Sequence, residues 1–292
     1  MLKTILNLGL VRKHHLTSLF IPIFLIALTS CRKDKPNAED ITHSYLHLSH
    51  TRLADNSGMY APVYDIDYSQ YELLLLGGDL ANLTSLDDDI LTHVDAVFDL
   101  GAPTTLLALG NHDYTDTEKL SNYTNRPNYF AYYQNYATFI VLDTQDSLSN
   151  IVGDQQSFLN EVLDTIQVSR QVFILTHKLI WMDGNSELEP QIDFISNGIA
   201  GDCFHCVNPN NFYTAVYPKL ISLENSGINV TCLAGDLGFK VSSFQYSSPE
   251  GIDFYASGVD YDQPETWNQV LIIDHNITQH KVDCRFVSIS EL

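Results

Sequence analysis

Six short apolar runs constrain this chain more than anything else in it: "SYLHLS", "ELLLLG", "TTLLALG", "TFIVLDT", "QVFILTH" and "NVTCLAG". Each is apolar on both parities and bounded by turn-forming residues. A strand with one wet face would alternate, so these suit strands covered on both faces of a sheet. Between them lie three helix-like stretches, "SLDDDILTHVDAVFDLG", "GDQQSFLNEVLDTIQ" and "NPNNFYTAVYPKLISLENSG"; in the first, Ser85 offers an N-cap ahead of an acidic first turn. Strand and helix alternate, which places the chain in the α/β class. The C-terminal part changes character. "FKVSSFQYSS", "IDFYASGV", "WNQVLIIDHN" and "TQHKVDCRFVS" read as successive antiparallel strands, and predict a second sheet packed on the first. The aromatic run "NYFAYYQNY", with Tyr129, Tyr132, Tyr133 and Tyr136, predicts a hairpin with one face in the core. From Trp181 to Asn211 the chain is rich in Gly, Asn, Asp and Pro and reads as a long irregular loop.

The N-terminus is a different kind of sequence. Basic residues from Arg12 to His15 precede the apolar run "LTSLFIPIFLIALTSC", which is short for a membrane span and ends in small residues before Cys31. Residues 1–30 read as a signal peptide, 31–40 as a polar tether and 41–292 as one domain. "LTSC" resembles a bacterial lipobox, which implies cleavage before Cys31, lipid on that cysteine and a place on the membrane of the bacterial cell envelope, periplasmic or surface-exposed. Nine extended residues after Cys31 reach no more than about 30 Å, so the partner is expected to be an envelope or extracellular molecule. Residues 1–30 carry Lys3, Arg12 and Lys13 and no acids, so the remainder holds 12 basic against 36 acidic residues, or −24. A chain this acidic repels polyphosphate backbones, which argues against nucleic acid. Cys203, Cys206, Cys232 and Cys284 allow three pairings in an oxidising compartment, and "CFHC" is read as a structural disulfide in preference to a redox or zinc motif.

In open α/β sheets ligands bind beyond the C-terminal ends of strands. There the apolar runs release His50, Thr51 and Arg52; Gly77, Gly78 and Asp79; Gly110, Asn111, His112 and Asp113; His177; and Gly235 and Asp236. Taken in order, "GGDL", "LGNHDY", Thr176-His177 and "AGDLG" resemble the calcineurin-like metallophosphoesterases over nearly the whole length after the signal peptide. The resemblance implies a two-sheet sandwich flanked by helices, with two metal ions bridged by Asp79. It further implies Asn111 and His177 as ligands of the second metal, and His112, supported by Asp113, as the group that contacts phosphate and protonates the leaving oxygen.

Two motifs depart from the family pattern. His50-Thr51-Arg52 stands where the family has Asp-x-His, and Gly235-Asp236-Leu237-Gly238 stands where it has Gly-His-x-His. The first-metal set is thereby reduced to His50 and Asp79, whereas the second keeps Asp79, Asn111 and His177 and exchanges a His for Asp236, an oxygen ligand. A guanidinium has no lone pair for a metal and repels a cation about 4 Å away, yet it can hold a phosphate through two parallel donors. The expectation is a site with one divalent metal ion (manganese, iron or zinc) on Asp79, Asn111, His177 and Asp236. Arg52 would stand in for the missing ion, and His50 would serve as a donor behind the ligands or as a ligand itself. The expected function is hydrolysis of a phosphate ester substrate on the envelope. The alternative is a non-catalytic protein of the same fold that binds an envelope glycan or partner protein. Lys178 reads as a solvated loop charge, and Trp181 as a candidate for lining the cleft.

Overall fold

The computed structural model describes residues 40–292; the signal peptide and Cys31, and the tether up to residue 39, lie outside the described residues. The apolar runs become β1 (Thr42–Leu48), β2 (Leu73–Leu76) and β3 (Thr105–Leu107). The aromatic hairpin follows as β4 (Phe130–Gln134) and β5 (Ala137–Val141), then β6 (Gln171–Thr176) and β7 (Asn229–Ala234). The C-terminal strands are β8 (Ser243–Ser247), β9 (Asp253–Ser257), β10 (Gln269–Asn276) and β11 (Lys281–Ser288). The helices are α1 (Asp88–Phe98), α2 (Thr117–Thr124), α3 (Gly153–Asp164), the single turn α4 (Ile192–Ile195) and α5 (Tyr217–Asn225).

Two mixed sheets result, in the orders β11-β10-β1-β2-β3 and β4-β5-β6-β7-β9-β8. This corrects one expectation. The C-terminal strands do not make a sheet of their own: β8 and β9 extend the second sheet, with β9 parallel to β7, while β10 and β11 extend the first, with β10 antiparallel to β1. Hairpin patterning determines that neighbours pair, but not which of two sheet edges a hairpin joins.

The parity of the apolar runs sorts them into layers. Leu73 and Leu75 of β2 face inward with Tyr45, Phe139, Phe173, Leu233 and Ile273 to form the layer between the sheets. Leu74 and Leu76 face outward, onto Leu91, Val94 and Phe98 of α1. On the second sheet the outward set, Val172, Ile174 and Val230 among them, meets Leu159 and Leu163 of α3 and Leu220 of α5. Both faces of each parallel core are dry, which is why those strands read as unbroken apolar runs. Phe139 and Phe173, paired across β5 and β6 of the second sheet, stack at 4.9 Å, and Tyr45 of the first sheet meets Phe139 edge-on at 5.4 Å, a T-shaped contact that joins the two sheets face to face. The hairpin turn uses Asn135 and Tyr136, both at positive φ (53° and 58°), the backbone of a two-residue primed turn. Helix α1 starts one turn fragment later than predicted: Asp87, not Ser85, caps it by accepting from Ile90 N–H at 2.9 Å. Ser85 instead donates to the Asp113 carbonyl at 3.0 Å, tying the loop after β2 to the one after β3.

Candidate active site

The C-terminal ends of β1, β2 and β3 in one sheet and of β6 and β7 in the other converge at one rim. They meet where Gly77, after β2, lies against Gly235, after β7. A Cβ on Gly77 would stand 2.7 Å from Gly235 Cα, so only paired glycines let the sheets close to this distance. Around the contact opens a cavity of about 320 Å³ lined by His50, Arg52, Asp79, Asn111, His112, Asn197, Gly198, His205, Asp236 and Phe239. His177 lies fully buried beside it.

Asp79 is the hub. It sits at φ 57°, a left-handed backbone that costs a non-glycine residue about 1–3 kcal/mol. Its backbone N–H donates to Asp113 Oδ2 at 2.7 Å, and its own Oδ1 accepts from the His112 backbone N–H at 2.9 Å. Asp113 also accepts from the N–H groups of Leu80 (3.2 Å) and Gly110 (2.8 Å) and from the Thr84 hydroxyl. This buried carboxylate therefore binds the "GGDL" turn to the "GNHD" turn. It does not reach the imidazole of His112, which it was expected to support. His112 Nδ1 donates instead to the Asn82 carbonyl at 2.6 Å, which leaves Nε2 as its free nitrogen. Burial raises the pKa of the Asp113 carboxyl above its usual range, and the charge on Asp79 adds to the effect.

On one side of Asp79 stand His177 and Asp236. His177 Nδ1 donates to the Gly77 carbonyl at 2.7 Å, which fixes the tautomer and leaves a lone pair on Nε2. That Nε2 is buried, has no hydrogen-bond partner, and stands 3.7 Å from Asp79 Oδ1 and 3.9 Å from Asp236 Oδ1. A lone pair facing two carboxylates is electrostatically unfavourable unless positive charge lies among them. Burial works against charging His177, but Asp79 and Asp236 outweigh it and raise its pKa above the ordinary value. Burial likewise works against ionising Asp79, and the surrounding imidazoles, His177 foremost, outweigh it and hold that carboxyl below the usual range. Asp236, whose pKa is raised by burial, is held through Oδ2 by Ser196 Oγ at 2.9 Å. A nitrogen with a fixed tautomer, two carboxylates and the Asn111 amide on the cavity wall are groups that could hold a divalent metal ion. Asp79 and Asp236 bring two carboxyl groups to a cavity in which Arg52 is the one permanent cation among the lining residues.

The other side is differently built. Arg52 Nε is buried, without a hydrogen-bond partner, and 4.0 Å from Asp79 Oδ2, while its guanidinium lies 5.2 Å over the Phe239 ring. His50, at φ 57°, donates from Nδ1 to the Val259 carbonyl at 2.7 Å and meets Phe239 edge-on at 4.6 Å. Burial pushes its pKa down to about 4, so it is neutral at physiological pH. Gly238 adopts φ 138°, and a Cβ there would stand 2.3 Å from the Val259 carbonyl oxygen and 2.8 Å from His50 Nδ1. The position where the family carries its last histidine thus admits no side chain in this backbone.

Two neighbours of the rim differ from expectation. Lys178 is not solvated: it is buried and its Nζ donates to the Phe204 carbonyl at 2.7 Å, with burial pushing its pKa down to about 8. Trp181 does not line the cleft but stacks in the core with Phe244 at 5.8 Å and Phe254 at 5.1 Å. Cys203 and Cys206 form a disulfide with each other, while Cys232 and Cys284 are free among the described residues. His205 and Phe239 reach the cavity unforeseen. The signals were there, "CFHC" and the Phe directly after "GDLG", but neither resembles a site motif.

No protein-family model and no curated protein sequence matches the chain. Among solved structures, a dimetal phosphatase from Danio rerio matches over 85% of this chain and 99% of its own, with a TM-score of 0.52 and 12% identity. Vps29 from Entamoeba histolytica, complexed with zinc, matches over 84% and 99% with a TM-score of 0.31 and 9% identity. Two mixed sheets face to face, helices on both outer sides and the match to the dimetal phosphatase lead to one statement: this chain has the calcineurin-like metallophosphoesterase fold.

Proposed function

We propose that this protein hydrolyses a phosphate ester with a single divalent ion, manganese, iron or zinc, held by Asp79, Asn111, His177 and Asp236. The observation that carries the reading is His177 Nε2, buried without a hydrogen-bond partner and facing two carboxylates. When bound, such an ion polarises phosphoryl oxygens and acidifies water. The chain's own residues do the rest. Arg52, steadied by Phe239, holds phosphoryl oxygens and offsets charge that grows on them in the transition state. His112 keeps Nδ1–H on the Asn82 carbonyl, so in its imidazolium form Nε2–H is the proton it passes to the leaving oxygen. We further propose that lipid on Cys31 keeps the enzyme on the cell envelope and that its substrate is found there; a palmitate label that survives Cys31→Ala would refute the anchor.

The purified chain, loaded with manganese, zinc or iron, should turn over members of a broad phosphoester panel, and His112→Ala should lower the rate by about 100-fold or more with the fold unchanged. Wild-type protein inert with every metal would overturn the proposal. The closed position at Gly238 favours a second reading, a non-catalytic protein that uses the cavity to bind an envelope glycan or partner protein. That reading predicts saturable ligand binding that survives His112→Ala.

A further inference from the structure

One wall of the cavity belongs to none of the strand-end motifs. It comes from the irregular segment after Trp181, which both holds Asp236 and carries His205. Asn197 N–H donates to the Asp236 carbonyl at 2.9 Å, and Ser196 Oγ to its carboxylate. The chain then runs out and back, with Ala200 bridged to Val207 and Val207 N–H donating to the Ile199 carbonyl at 3.0 Å. At its tip the Cys203–Cys206 disulfide closes a four-residue ring around Phe204 and His205. The ring is fastened on both flanks. Lys178 Nζ, buried and therefore costly to place, donates to the Phe204 carbonyl at 2.7 Å, and Cys203 N–H donates to Asn208 Oδ1 at 2.8 Å. Exposed loop tips are ordinarily free to move. Here the backbone is fixed while the exposed His205 side chain lines the same cavity as Arg52 and His112.

We propose that His205 donates a hydrogen bond to a phosphoryl oxygen of the bound ester, and that the Cys203–Cys206 ring is the device that positions it. The proposal rests on the phosphoesterase reading above. Beside Arg52 on the phosphoryl oxygens and His112 on the leaving oxygen, it gives the cavity a further donor on a separate wall, where phosphate must be held by fewer ions than the family pattern provides.

The test is calorimetric titration of the full chain with manganese and then, at saturating manganese, with inorganic phosphate. It is run on wild type, His205→Ala, His205→Gln and the double variant Cys203→Ser, Cys206→Ser. Phosphate affinity should fall about tenfold or more in His205→Ala and in the double serine variant, because a hydrogen bond to a charged oxygen is lost or misplaced. Manganese affinity should be unchanged in both, and His205→Gln, which retains an N–H donor, should recover part of the loss. Unchanged phosphate affinity in His205→Ala overturns the contact and leaves the phosphoesterase reading standing. Manganese affinity falling together with phosphate affinity also overturns it, because His205 would then act through Asp236. Loss in His205→Ala without loss in the double serine variant overturns the positioning role of the ring. Where wild type takes up no manganese the titrations are run with zinc and with iron; uptake of none of the three, or of metal but no phosphate, brings down the underlying reading and this proposal with it.

Discussion

The two sides of Asp79 are opposites built on one carboxylate. On the His177 side a buried imidazole nitrogen without a hydrogen-bond partner faces two carboxylates, and no permanent positive charge stands between them. On the Arg52 side the positive charge is covalent, lodged over Phe239 and 4.0 Å from the same Asp79. The difference teaches that the departures at His50-Thr51-Arg52 and at Gly238 are a matched pair. Gly238 is closed in by the Val259 carbonyl and His50, so a ligand side chain there would require that backbone to shift even if Arg52 were removed. On one side the positive charge can come from a proton on His177 or from a bound cation; on the other it is built into Arg52.

Experiments that break this asymmetry rank by expected effect. Asp79→Ala should abolish metal uptake, a loss of about 100-fold or more in affinity, read by calorimetry, because the hub of both sides disappears. Asp113→Ala should leave three backbone N–H groups unpaired in a dry site and destabilise the fold by about 3 kcal/mol or more, read as a shift in the urea midpoint. Gly238→His, the change that would symmetrise the site, should cost about 2–4 kcal/mol of stability through φ strain and the Val259 contact, and should not raise metal uptake. Arg52→Ala should weaken inorganic phosphate binding about tenfold while metal uptake stays the same.

The two sides also differ in their response to pH. The pKa of His50 is depressed in the folded state, to about 4 from 6.5, so between those values the unfolded chain binds more protons. Its contribution to stability is present above about pH 6.5 and is lost as pH falls toward 4. His177 runs the other way: its folded pKa is raised, so without metal its contribution is present below about pH 6.5 and is lost as pH rises through that raised value. Imidazole NMR on metal-free protein should show His177 charging at a higher pH than His50. The reverse order would break the comparison.

Much of this was legible in the residues, for physical reasons. Strands covered on both faces have an unambiguous signature, and "GGDL" and "GNHD" at strand ends mark turns whose glycines and carboxylates must meet; the structure brings Asp79, Asn111, His112, His177, Asp236, Arg52 and His50 to one rim. What was not legible depends on three-dimensional neighbours. Lys178 looks like any loop lysine until the Phe204 carbonyl is found at 2.7 Å. Trp181 follows a site histidine by four residues, but the chain turns inward there and Phe244 and Phe254 claim the ring. Asp113 beside His112 suggested support for the imidazole, whereas the tight turn points its carboxylate at backbone N–H groups. His205 belongs to a segment with no periodicity, and a disulfide between residues three apart places it.

The central claim is one ion on one side of Asp79. Elemental analysis of the purified chain after loading with manganese, zinc or iron and desalting tests it most directly. The account predicts one equivalent per chain, absent in Asp79→Ala and in His177→Ala and retained in Arg52→Ala. Two equivalents in the wild type, or none, would contradict it.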